Sequence, residues 1–317
     1  MERTFTTKKE FYKKFSKKSQ GRELSARFLR NKAAVGGLVI FALIILMAIF
    51  APLIANYETQ AVKNDVPHRL LPPGSQWEVQ VKDAEGNATG EMRTVTTILG
   101  TDEMGRDILA RIVHGARISL IVGISSVGVA LLVGGFLGAI SGYFGGWIDS
   151  VLMRTMDVLL CLPDVLLALA IIAAFGNSQT NMTISIGLAF TPKLSRIVRA
   201  AVMSVRSNEY IEAARSIGAR NGRIIMSHVL VNCMGPIVVQ VTLYVANAIL
   251  TISALSFIGL GIQSPTPEWG NMLASGRAYM RDNAYIVMAP GLAIFFTILS
   301  LNLLGDGLRD TLDPRLK

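Results

Sequence analysis

The sequence predicts an all-α membrane protein with six transmembrane helices and a small extracytoplasmic β-hairpin. Three observations carry that expectation. Charged residues make up 17% of the 317 residues, against about 25% in a soluble domain. Hydrophobic residues make up 51%. Five stretches (33–57, 118–148, 165–192, 224–267 and 283–305) contain no Asp, Glu, Lys or Arg. Each exceeds the roughly 20 apolar residues that a bilayer crossing requires. An ordinary soluble globule, a disordered chain and a secreted disulfide scaffold are thereby excluded.

Residues 1–32 hold 11 Lys and Arg against Glu2, Glu10 and Glu23, and read as a basic cytoplasmic segment. The apolar run at 33–55 exceeds the roughly 7–15 residues of a signal-peptide core, so it is a retained first transmembrane helix. Residues 56–117 form an extracytoplasmic loop. Within it, Trp77 to Lys82 alternates apolar and polar, 84–90 is turn-rich, and Met92 to Ile98 favours strand. That pattern predicts a hairpin near 77–98. Asn87-Ala88-Thr89 matches a glycosylation sequon, a weak signal without a secretory context.

Residues 118–317 supply five further spans, at about 118–142, 155–175, 182–205, 232–260 and 284–306. The stretch 182–205 is the least apolar and carries Pro192 and Lys193. Charge parity requires it. Lys193, Arg196, Arg199, Arg206, Arg215, Arg220 and Arg223 face only Glu209 and Glu212, so this basic cluster belongs on the cytoplasmic side. An even number of crossings must separate it from the basic N-terminus. Six spans leave both termini cytoplasmic and most of the 31 Lys and Arg residues inside.

The net charge of +9 follows from those basic loops, so the lipid bilayer and not nucleic acid is the expected partner. Cys161 and Cys233 lie in apolar segments without CxxC spacing, and His68, His114 and His228 are scattered; neither set suggests a metal centre. No P-loop, zinc-protease or nucleophile-elbow motif occurs. Catalytic, cofactor-binding and metal residues are therefore all expected to be absent. Asp157, Asp164, Lys193 and Asp306 lie near predicted span ends or beside prolines, and the middles of four spans are free of charge. Ion-coupled transporters carry acids within their spans, so energy for any transport must come from elsewhere.

Between the fourth and fifth spans the chain reads Glu209-Tyr210-Ile211-Glu212-Ala213-Ala214-Arg215-Ser216-Ile217-Gly218. This resembles the E-A-A-x-x-x-G loop of ABC importer permeases. Leu99-Gly100-Thr101-Asp102-Glu103-Met104-Gly105-Arg106-Asp107 resembles the L-G-T-D-x-x-G-R-D signature of the dipeptide, oligopeptide and nickel permeases. Leu255 to Gly261, Pro265 to Gly270 and Asn302 to Asp310 resemble further motifs of the same family, and together they favour its C-type subunit. The resemblance covers about residues 25–317 and implies the type I ABC importer fold.

It also implies a coupling loop at 208–228, in which Tyr210, Ile211, Glu212, Ala213, Ala214, Arg215 and Gly218 meet an ATPase subunit. Gly100, Thr101, Asp102, Gly105, Arg106 and Asp107 form the outside motif. The implied partners are a homologous B-type permease, two cytoplasmic ATP-binding subunits that carry ATP and Mg, and an extracytoplasmic solute-binding protein. The implied function is ATP-driven import of peptides across the cytoplasmic membrane, with nickel or glutathione as alternative cargo. A channel or secondary transporter is the alternative of a different class. Two departures stand out. His228-Val229-Leu230-Val231 lacks the family's proline, which Gly235-Pro236 replaces nearby. The segment 76–97 is longer than the family's shorter outside loops. A small-residue face on the loop helix lets a partner pack closely, and a glycine at 218 ends that helix. The glycine run Gly123, Gly128, Gly134, Gly135 and Gly138 reads as close helix packing.

Overall fold

The computed structural model describes residues 20–82 and 88–312. Most of the basic N-terminal segment, the hairpin tip with Asn87 of the sequon, and Arg315 and Lys317 lie outside those residues. A short helix α1 (Gln20–Phe28) precedes α2 (Lys32–Ile49), which Asn31 caps by accepting from the amides of Ala33 and Ala34. α3 (Ala51–Ile54) and a π turn at Tyr57–Val62 lead into the long loop before α4. There β1 (Gln76–Lys82) and β2 (Ala88–Thr96) pair antiparallel, Trp77 opposite Val95 and Glu78 opposite Thr94.

Next comes α4 (Ile108–Phe144), then α5 (Gly146–Leu160), α6 (Asp164–Phe175) and α7 (Gln179–Arg206). The loop after α7 holds α8 (Glu209–Ser216) and α9 (Asn221–Ile224). A π turn at Ile225–Val229 then runs into α10 (Leu230–Phe257). Finally α11 (Trp269–Gly276) and α12 (Tyr285–Leu312) close the described chain.

Among the described residues, α2, α4, α12 and the run 221–257 are long and apolar enough to cross a membrane. The expected span at 155–175 is divided between two helices. α5 and α6 meet at 86° across Cys161-Leu162-Pro163, because proline at 163 cannot continue α5 and instead opens α6. The expected span at 118–142 is also longer. Asp107 accepts from the Ala110 amide and starts α4 ten residues earlier, so 108–117 is helix and not loop. α7 is more polar than the other long helices yet measures about 42 Å at 1.5 Å per residue, and buries Ile186, Phe190, Leu194 and Val198.

The core is built on α4 packed along α7, with α10 and α12 behind. The expected glycine packing is visible there. A Cβ at Gly134 would stand 2.6 Å from the Thr191 carbonyl oxygen, and one at Gly123 2.8 Å from the Ile249 side chain. Gly128 and Gly135 meet no other helix. The entry of the chain into α10 is made by the π turn, in which His228 and Val229 lie, while Pro236 sits inside α10.

Candidate functional site

The loop helix α8 has one fully buried side chain. Ile211 is completely buried, in a cluster with Ala139 and Tyr143 of α4, Val198 and Val202 of α7, and Ile224 and Val229 beyond the turn. The helix ends in a Schellman turn. The Ala219 amide donates to the Ala214 carbonyl (3.1 Å) and the Gly218 amide to the Arg215 carbonyl (3.0 Å), with Gly218 at φ +83°. A glycine adopts this left-handed backbone without the Cβ clash that other residues suffer. Arg215 lies 5.8 Å over the Tyr143 ring, whose hydroxyl donates to Asn221 Oδ1 at 2.9 Å. The end of α4 is thus tied directly to the loop.

The outward face differs from the expectation in three places, the first being Ile211, expected to meet a partner and instead the buried anchor of the helix. Tyr210, Glu212, Ala213, Arg215 and Gly218 are exposed, but Ala214 is half-buried and packs inward on the Ile211 cluster. Ala214 is therefore a spacer beneath the helix, one position round from the free face. Ile217, which the motif does not mark, is 86% exposed. Tyr210, Ala213 and Ile217 follow at three and four residues, so they share one side of the helix. An exposed Ile at a fixed helix end is the signal that sequence reading missed.

The outside motif forms a second, wholly different unit. Asp102 accepts from the amides of Met104 and Arg106 and from Arg106 Nε (2.9, 2.9 and 2.7 Å). Arg106 also donates to Ser264 Oγ and Glu103, and Arg111 donates to the carbonyls of Ala61 and Pro265. Thr101 donates to the His68 carbonyl and accepts from the Leu71 amide. Gly100 and Gly105 hold φ of +87° and +78°. Trp269 donates to the Ile112 carbonyl at 3.0 Å, and buried Glu268 caps α11 through the amides of Gly270 and Asn271. The motifs at 99–107 and 265–270, with Ser264 between them, are therefore one clamp that joins the loop before α4, the start of α4 and α11. Arg106, Arg111 and Asp102 are nearly inaccessible, so the motif holds the fold together and presents little to a partner. Burial, with the neighbouring Asp102 charge, pushes the Glu103 carboxyl above its ordinary value of 4.5.

A third set of polar groups lies between helices. Lys193 pairs with Asp164, and Arg196 with Asp157. Arg199 grips Asp149 through two bonds of 2.6 Å. Lys193, counted above with the cytoplasmic cluster, sits halfway along α7, because Asp164 at the start of α6 neutralises it there.

Comparison with known proteins accords with this architecture. Residues 134–317 match the family described as binding-protein-dependent transport system inner membrane component, and residues 19–73 match the N-terminal transmembrane domain of oligopeptide transport permease C. The di/tripeptide transport system permease protein DppC of Pseudomonas aeruginosa is 45% identical, over 93% of this chain and 92% of that protein. The dipeptide permease DppC of Alkalihalophilus pseudofirmus is 42% identical over 94% and 91%. The glutathione permease GsiD of Pectobacterium atrosepticum is 38% identical over 93% and 91%. A chain of the MetNI methionine ABC transporter, solved facing inward, superimposes with a TM-score of 0.54 at 14% identity, over 64% of this chain and 96% of that one. The fold is that of a type I ABC importer permease, and the chain belongs to the binding-protein-dependent transport inner-membrane component family, as a transport subunit rather than an enzyme.

Proposed function

We propose that this chain is the C-type permease of an ATP-driven peptide importer. The observation that carries the reading is α8. It is anchored by one buried side chain, it ends in a fixed turn, and it offers Tyr210, Ala213 and Ile217 outward. Such a face suits a groove on a separate subunit, and the tie from Arg215 and Asn221 to Tyr143 links its movement to α4. ATP and Mg belong to two such cytoplasmic subunits. A homologous B-type permease completes the membrane path, and a solute-binding protein delivers cargo outside, where the β1–β2 hairpin faces it.

The chain crosses the membrane six times, through α2, α4, the bent pair α5–α6, α7, α10 and α12, with both termini cytoplasmic. Charge parity supports α7 as a crossing despite its polarity. Peptide cargo is favoured by the relatives named for dipeptides; the relative named for glutathione, itself a peptide, favours a second reading within the same chemistry.

The test is Ala213→Trp. Position 213 is exposed, so the substitution leaves the permease fold intact while crowding any groove that receives α8. Overpacking costs about 1–3 kcal/mol. The expected result is normal insertion and permease pairing, reduced co-purification of the ATPase subunits and loss of uptake. Full ATPase recovery with normal uptake would show that α8 is not the coupling element.

A further inference from the structure

The membrane half of the molecule contains a cavity of about 600 Å³ between α6, α7 and α10. Its wall carries the Asp164–Lys193 ion pair together with Gln240, Tyr244, Asn247 and Thr251 of α10. These four positions are spaced by four, three and four residues, so they make one polar stripe along α10. Lys193 lies halfway along α7, about 20 Å from either end at 1.5 Å per residue, and Tyr244 lies halfway along α10. In the six-span topology proposed above, the pair therefore lies near the middle of the membrane.

Depth and exposure together set the chemistry. The side chains of Lys193 and Asp164 are 40% and 22% exposed. Charges at that depth do not face lipid; they face water, a cargo or another protein chain. Among the described residues, no hydrogen bond reaches the Tyr244 hydroxyl or the Gln240 amide. Asn247 uses only its amide nitrogen, which donates to the Leu243 carbonyl. The wall thus offers one anion, one cation and free amide and hydroxyl groups, in a volume within the roughly 300–1,000 Å³ of small-molecule sites.

We propose that this cavity is a transient binding station for a zwitterionic cargo, and this rests on the peptide-importer reading above. Asp164 and Lys193 neutralise one another while the cavity is empty. When cargo enters, its ammonium takes the place of Lys193 against Asp164, and its carboxylate takes the place of Asp164 against Lys193. The stripe on α10 bonds the amide between them. The exchange replaces one ion pair by two, so a charged cargo crosses mid-membrane without an unpaired charge on either molecule.

The test uses the complete transporter in proteoliposomes, with its partner permease, ATPase subunits and binding protein, and dialanine as the probe. Val165, on the cavity wall, is replaced by Cys in a chain whose Cys161 and Cys233 are Ala. A membrane-impermeant cationic thiol reagent should label position 165 during turnover, and saturating dialanine should slow labelling at least fivefold. Separately, Lys193→Met and Asp164→Asn should each lower the maximal rate of dialanine uptake at least tenfold while the ATPase subunits still co-purify. No labelling at position 165 would mean that another chain fills the cavity and would overturn the proposal. So would labelling indifferent to dialanine, or wild-type uptake by both variants, in a transporter that imports dialanine; the peptide reading would then survive. A wild-type transporter that imports a non-peptide solute and no peptide, dialanine included, would remove the peptide reading and this inference with it.

Discussion

Replacing Ile217 by Ala isolates the apolar part of the α8 contact. Ile217 is 86% exposed, so in the free permease it contributes little to folding. If it is buried on docking, the substitution removes three carbon atoms from the interface. At about 0.8 kcal/mol per buried methylene that is a loss of about 2.4 kcal/mol. Since about 1.4 kcal/mol is tenfold, the affinity for the ATPase subunits should fall about 50-fold. The control is Ile211→Ala, one turn and a half away and fully buried. It should lower the melting temperature of the permease itself, because deleting a buried Ile costs about 2–5 kcal/mol. The assay titrates purified ATPase subunits onto nanodisc-embedded permease, with thermal unfolding followed in parallel. An Ile217→Ala variant that melts like the wild type and binds the ATPase subunits with unchanged affinity would refute the reasoning.

Three further outcomes are expected. Asp102→Asn removes the carboxylate shared by buried Arg106 and Arg111, leaving Arg106 only Glu103 and Arg111 without its ion-pair partner, a loss of about 3–5 kcal/mol, read as a large drop in melting temperature. Gly134→Leu forces side-chain atoms against the Thr191 carbonyl, costs about 1–3 kcal/mol, and should broaden or abolish the monodisperse peak in detergent size-exclusion chromatography. Burial raises the Glu103 carboxyl above 4.5, so the folded chain holds that proton more tightly than the unfolded one. Its contribution is complete below pH 4.5 and is lost as the pH rises through the raised value; Glu103→Gln should flatten that part of the melting-temperature profile.

The sequence by itself determined what depends on near neighbours and on composition. Apolar runs longer than a bilayer is thick locate α2, α4, α10 and α12. Alternation and a turn-rich interval locate the β1–β2 hairpin. A glycine nine residues after Glu209 marks the end of α8. Each is a local pattern, and the physics behind it acts within one element. The distribution of basic residues goes one step further, since the proposal that α7 crosses comes from the whole chain's charge and not from α7's own composition.

The tertiary structure alone decided which distant groups meet. Arg106 reaches Ser264 and Arg111 reaches the Pro265 carbonyl, which turns two separate motifs into one clamp. Ala214 turns inward and Ile217 outward, a division that rests on where α4 and α7 stand beneath α8. Proline at 163 was visible in the sequence, but the 86° turn between α5 and α6 was not, because the angle is set by what the two halves pack against. That turn brings Asp164 to Lys193, 29 positions along the chain. No local pattern encodes the meeting of these two charges; only the fold brings them together, and each offsets the cost of burying the other between helices.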